Sequence, residues 1–263
     1  MYEAKSLTNN RVFIYHFLKR TQRFHCPMTA VLRIDVTDTI QRIEELRAEG
    51  HKVSFIAYLC KATAKTIEQH PRLNHRLYHS FFGRKIETTF DHISCGLLVA
   101  REDPNGEEVL LQLVLKTPNE MSVEEIHQAI KDNKATPLED LESYKKLQKV
   151  RTLPRFLIPF IHFLFRSNPK HTAQNYSTYG LSSVMQPDSI IVGGHTPSNQ
   201  TTFFPTSLRD EVLAIDGEPK VRKVLIVGFS TDHFVVDGMD VQRATNTIRK
   251  YLENPETLLS SGS

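Results

Sequence analysis

Residues 230–240 read STDHFVVDGMD, with His233 followed four positions later by Asp237 and then by Gly238. The preceding KVLIVGFS (223–230) is an apolar run rich in β-branched side chains, the composition of a buried strand. After it, Val241, Ala244, Ile248 and Leu252 recur at helical spacing, so a helix is expected from about Met239 to Glu253. The histidine therefore falls where a strand gives way to a helix, a rigid and accessible place for an imidazole. Neutral imidazole accepts a proton near pH 7, which makes His233 a candidate general base. Asp237 can orient the loop by bonding a backbone amide or an arginine, and Gly238 permits a tight approach or a positive φ. Spacing alone leaves a second reading open, in which Asp237 caps the helix and His233 merely packs.

Outward from this stretch, helices and strands intermix. RVFIYHFLKRTQRF (11–24) reads as a short amphipathic helix. MTAVLRIDV (28–36) alternates, with Met28, Ala30, Leu32, Ile34 and Val36 on one face of a strand. Thr37 or Asp38 is expected to cap a helix ending near Gly50, and Ser54 a helix ended by Pro71. KIETTF, HISCGLLVA and EVLLQLVLK read as strands, the last two flanking a Pro-Asn-Gly turn signal. Ser122 and Glu125 form a capping box for the next helix, and residues 133–172 read as mostly helical. NYSTYGLSSV, SIIVGG and TTFFP are further expected strands. They are too closely spaced for a simple βαβ series. The expected fold class is α/β (α+β), one domain with a mixed or antiparallel sheet flanked by helices. Residues 1–24 would form an N-terminal arm, 133–172 a helical insert and 260–263 a flexible tail.

Several function classes drop out. The 33 Lys and Arg are scattered among 30 Asp and Glu with no basic run, which gives nucleic-acid binding little support. Net charge of +3 leaves a preference for anionic ligands open. No phosphate loop, dinucleotide fingerprint, zinc-protease helix or nucleophile elbow occurs. The histidines are dispersed, so no metal site is expected. Cys26, Cys60 and Cys95 lie far apart, which fits buried small side chains in a reduced, cytoplasmic chain. The N-terminus lacks the apolar core of a signal peptide. The apolar LPRFLIPFIHFLF (153–165) is too short to span a bilayer, and a subunit or core contact is the better reading than a membrane surface.

The neighbours of His233 carry more than the spacing does. FSTDHFVVDGMDVQRATNTIRKYLENPETLL (229–259) resembles the C-terminal signature of the acyltransferase component of 2-oxoacid dehydrogenase complexes. Its His-x-x-x-Asp-Gly core is shared with chloramphenicol acetyltransferase. VSFIAYLCKATAKTIEQHPRLNHRL (53–77), residues 92–130 and YGLSSVMQPDSIIVGG (179–194) are similar to other segments of the same family, so the resemblance covers most of residues 25–259.

That resemblance implies a chloramphenicol acetyltransferase-like fold and a homotrimer with its active-site channel between subunits. It implies acyl-CoA as a substrate, without assigning the residues that grip CoA. His233 would deprotonate an acceptor thiol or hydroxyl, and Ser182 matches the serine that donates to the tetrahedral oxyanion, with Ser183 the match if the register slips by one. Asp237 matches the aspartate that holds the histidine loop, for which Arg11 and Arg20 are candidate partners. The departures concern the acceptor. No lipoyl domain or lipoyl attachment site is read in the chain, Phe234 stands where the family has arginine, and 153–165 is unlike the usual complexes. A lipoylated protein could supply the acceptor in trans, or the acceptor could be a small alcohol or amine. The rivals are a non-catalytic trimeric scaffold and a membrane-peripheral acyltransferase.

Overall fold

The computed structural model describes residues 6–79, 84–104, 106, 108–160, 177–182, 185 and 200–259. Eight strands are present among them: β1 (Pro27–Asp35), β2 (His75–His79), β3 (Lys85–Thr89), β4 (Ser94–Glu102), β5 (Glu108–Lys116), β6 (Tyr179–Leu181), β7 (Thr201–Ile215) and β8 (Glu218–Asp232). Their helices are α1 (Asn9–Phe24), α2 (Thr37–Ala48), α3 (Phe55–Gln69), α4 (Val123–Ala135), α5 (Glu142–Arg151), α6 (Gly238–Glu253) and the short α7 (Glu256–Leu259). Six strands form one sheet in the order β1-β8-β7-β6-β4-β5, and β2 pairs with β3 separately. The large sheet is mixed: β6 runs parallel to β4 and to β7, and the other pairs are antiparallel.

Local chemistry explains the element boundaries. Pro27 opens β1 at the sheet edge, where a missing backbone donor costs nothing, and burial along β1 alternates as the sequence does. Ser54 caps α3 through a bond from the Ala57 amide, 3.4 Å. The capping box at α4 closes with Ser122 N to Glu125 Oε2 at 2.7 Å and Glu125 N to Ser122 Oγ at 3.1 Å. At α2 the cap is not Thr37 or Asp38. Asp35, the last residue of β1, accepts from both the amide and the hydroxyl of Thr37, 3.0 and 2.7 Å, and is itself gripped by Arg222 at 2.6 Å.

α3 is buried on nearly all sides from Ala57 to Ala64, because α4 and α6 flank it and β4 lies beneath. Val224 to Asp232 of β8 are buried without a break, since β1 and β7 pair with both edges of the strand. The main apolar core joins α2, α3, α4 and α6 to β1, β4 and β8.

Three features differ from the expectations. β2 is a strand although its sequence, HRLYH, lacks an apolar alternation; Arg76 and Tyr78 supply the buried face instead. TTFFP extends into fifteen-residue β7, and its hairpin with β8 turns at Asp216 and Gly217, with φ of 55° and 83°. An Asp-Gly pair with both φ positive matches the right-handed twist of the flanking strands. β6 spans three residues. The expected strand at 189–194, the apolar residues 161–165 and Ser183 lie outside the described residues, as does the helical reading beyond 160.

Gly96 shows how close the packing is. A Cβ there would lie 2.1 Å from Gln112 Nε2 and 2.2 Å from Ser177 Oγ, two groups hydrogen-bonded to each other at 2.9 Å. Gly96→Ala is expected to destabilise the fold by about 1–3 kcal/mol, the usual cost of overpacking. Urea unfolding checks this, and an unchanged midpoint would show that the contact relaxes freely.

Candidate active site

β8 ends at Asp232, and residues 233–236 turn the chain into α6. The His233 amide donates to Cys26 O at 2.7 Å, and the amides of Val235 and Val236 both donate to Asp232 O at 3.0 Å. The exposed His233 ring bonds Val236 O through Nδ1 at 3.0 Å. A carbonyl oxygen only accepts, so Nδ1 carries the hydrogen. In the neutral ring Nε2 then holds a lone pair, and no described residue bonds it. The imidazole is thereby fixed in the tautomer a general base requires.

The turn is anchored by the carboxylate of Asp232, whose partners the sequence did not announce. The Asp232 side chain is 0% exposed. His25 Nδ1 and Gln200 Nε2 donate to its Oδ2 at 2.7 and 3.1 Å, and the amides of Cys26 and Phe234 to its Oδ1 at 3.0 and 3.1 Å. Burial opposes its charge, but the bonds from His25 and the two amides prevail and hold its pKa below the ordinary carboxylate value.

Asp237 stands at the N-terminus of α6, where its amide donates to Asp240 Oδ2 at 3.3 Å. Its arginine partner is Arg72, from the turn after α3. Arg72 Nη1 reaches Asp237 Oδ2 at 3.4 Å and Asp240 Oδ2 at 3.0 Å, while Nη2 donates to Val235 O at 3.1 Å. Arg72 and Asp237 are more than half exposed, so the ion pair itself contributes at most about 1 kcal/mol. Of the two arginines expected from the sequence, Arg11 lies in the first turn of α1, its amide bonded to Thr8 Oγ1, and the Arg20 side chain is outside the described set.

Ser182 follows β6, half-buried, its amide donating to Phe203 O at 3.0 Å. Leu181 pairs with Phe203, and Phe203 with Phe229. Ser182 is therefore two strands across from β8 and level with Gly228, five residues short of His233. With ~3.3 Å per residue and ~4.8 Å between strands, the two lie on the order of 15–20 Å apart. The fold brings Asp237, Asp232 and Arg72 to His233, and it does not bring Ser182 of the same chain.

The cysteines do not form a second centre. Cys60 and Cys95 are buried beneath Tyr179, and burial pushes the Cys95 thiol well up. Among the described residues no cluster of His, Cys, Asp and Glu could hold a metal ion, and no helix is long and apolar enough to cross a membrane.

This sheet order with its strand-end histidine is a chloramphenicol acetyltransferase-like fold; a chloramphenicol acetyltransferase superposes with a TM-score of 0.51 at 12% identity, covering 96% of this chain and 98% of that one. The profile of the 2-oxoacid dehydrogenases acyltransferase (catalytic domain) matches residues 1–142 and 203–260, and the chain belongs to that family. The dihydrolipoyllysine-residue acetyltransferase component of the Mycoplasma capricolum pyruvate dehydrogenase complex is 28% identical over 239 residues, 88% of this chain and 46% of that protein. The chain spans about half the length of the curated relatives it matches. The cubic core of a pyruvate dehydrogenase multienzyme complex superposes with a TM-score of 0.71 at 16% identity. The dihydrolipoamide acetyltransferase of Azotobacter vinelandii gives 0.70 at 16%. Each of these two comparisons covers 98% of this chain and 94% of the other.

The lowered carboxylates predict an acid limit. Asp232, Asp35 and Glu68 titrate below their ordinary values in the folded protein, so each stabilises it above the unfolded pKa of about 4 and loses that contribution as pH falls through the folded value. Urea midpoints between pH 7 and pH 2.5 are expected to begin falling below about pH 6.5, where His70 and His127, whose pKa values burial lowers, start to charge, and to fall more steeply below about pH 5. A flat profile to pH 2.5 would show that these bonds do not favour the ionised forms.

Proposed function

We propose that the chain is a CoA-dependent acyltransferase with His233 as general base, acting as a homotrimeric catalytic domain on a dihydrolipoyl thiol carried by another protein. The observation that carries this reading is the Nδ1–H bond to Val236 O, which leaves the Nε2 lone pair outward on a braced turn. Nε2 takes the proton of the acceptor thiol, and the sulfur forms a bond to the thioester carbonyl of acyl-CoA. The carbonyl π electrons move to oxygen, and that oxyanion accepts a hydrogen bond from the Ser182 hydroxyl. Collapse breaks the bond to the CoA sulfur, which leaves as a thiolate and takes the proton back from His233. No covalent acyl-enzyme is needed.

The distance between Ser182 and His233 within a chain supports a site assembled from two subunits, one giving the base and its neighbour the oxyanion donor. Two structural neighbours bear on the assembly and on the residue types. One is the cubic core of its complex, and the Azotobacter vinelandii enzyme was investigated for the roles of a serine, a histidine and an asparagine in its catalytic mechanism. In that enzyme the last two share the spacing of His233 and Asp237. Phe234, 61% exposed beside the base, suits the hydrocarbon arm of a dihydrolipoyl group better than a charged acceptor. Three free cysteines suit a reducing compartment, and the cytoplasm is our assignment.

The test is acetyl transfer from acetyl-CoA to dihydrolipoamide, followed by mass spectrometry of the acetylated product. His233→Ala is expected to slow it by about 10²–10⁴-fold, and Ser182→Ala by about 10²–10³-fold. Refolding the two inactive variants together should restore part of the activity, because mixed interfaces pair an intact histidine with an intact serine. A wild-type rate in His233→Ala would overturn the mechanism, and no recovery on mixing would overturn the shared site.

A further inference from the structure

We propose that Asp232 is a positioning residue for the base, holding His233 in its working tautomer through a clasp made with His25 and Gln200. The inference rests on the reading of His233 as general base. Every amide of the turn has its acceptor in Asp232 or Cys26. His233 N goes to Cys26 O, Phe234 N to the Asp232 carboxylate, and Val235 N and Val236 N to the Asp232 carbonyl. Val236 in turn presents the carbonyl that receives His233 Nδ1–H. The Asp232 main-chain carbonyl and carboxylate together hold the turn, the carboxylate through Phe234 N, and the turn places the Val236 carbonyl that sets which ring nitrogen is protonated. The residue acts on the base without bonding the ring.

The carboxylate is suited to this by number and by origin. Its four donors come from the His25 side chain after α1, the Cys26 amide before β1, the Gln200 side chain leading into β7, and the turn itself. Gln200 is fixed as well, accepting from Leu77 N of β2 at 2.8 Å. An ionised carboxylate offers about four lone-pair sites, one for each donor, whereas an asparagine would turn its NH₂ towards donors and leave them unpaired. A buried charge is a costly way to gain stability alone, but it ties two distant segments, residues 25–26 and Gln200, to the turn that carries the base.

The full-length chain carrying Asp232→Asn tests the clasp, beside His25→Ala, which removes a single donor and leaves the carboxylate. Circular dichroism and sedimentation first establish folding and assembly. Steady-state kinetics with acetyl-CoA and dihydrolipoamide then separate kcat from KM, and long-range proton–nitrogen NMR on histidine-labelled protein reads the tautomer of His233. Asp232→Asn is expected to lose about 100-fold in kcat, the scale of a small misplacement of a reacting group, with KM within about twofold. His25→Ala should lose about 10-fold, as supporting hydrogen bonds typically do. In both variants the wild-type Nδ1–H signature should give way to a mixture of tautomers. If Asp232→Asn fails to fold, His25→Ala carries the same expectation alone. A folded variant with wild-type kcat, or one that loses kcat with the tautomer unchanged, would overturn the proposal. A wild-type protein that transfers no acetyl group would overturn the reading of His233 instead, while the NMR comparison would still decide whether Asp232 sets the tautomer.

Discussion

β8 is hydrogen-bonded along both edges, and the groups around the His233 turn are positioned by it. Its register with β1 sets Pro27 opposite Asp232, so the residues before Pro27, His25 and Cys26, arrive at the Asp232 carboxylate and at the His233 amide. Slipping that register by one residue would turn the buried face of β1 outward and present different backbone groups to the turn. Nine consecutive buried residues of β8 make such a slip costly. The imidazole inherits this rigidity although it is exposed, since each amide of its own turn is bonded to β8 or to the lead into β1.

The same pairing determines how far Ser182 lies from His233. β6 and β7 run parallel, so the residue after β6 emerges level with Gly228, four residues before the end of β8. Ser182 is therefore held away from the histidine of its own chain, which is why the proposed site draws on a second copy. The charged groups around the turn belong to its frame. Arg72 bridges Val235 O to the start of α6, and Asp237 lies on the exposed side of that bridge.

Much of this was legible in the residues. The alternation of β1, the Ser122–Glu125 capping box, the helical face of α6 and the strand-to-helix place of His233 all follow from local sequence signals, and the structure reproduces them. What could not be read depends on contacts between distant segments. β2 escapes because its buried residues include an arginine. Nothing around Asp232 announces that a carboxylate after a buried run will meet His25 and Gln200. Arg72 is one of many arginines in the sequence until the turn after α3 is placed beside α6. The Asp-Gly hairpin was the exception: its signal is local, and the polar character of both arms masked it.

The pairing of the first strand with the last also governs when the fold can close. β1 carries its apolar alternate residues, yet its partner follows only roughly two hundred residues later in the sequence. Until the two pair, β1 is an unpaired strand edge, the kind of surface that invites wrong partners. Helices and the β4–β5 hairpin form from nearby residues, whereas the central sheet must close a very long loop, which slows its formation. The turn that carries His233 therefore waits on that closure, and a chain lacking β8 would leave β1 without its partner.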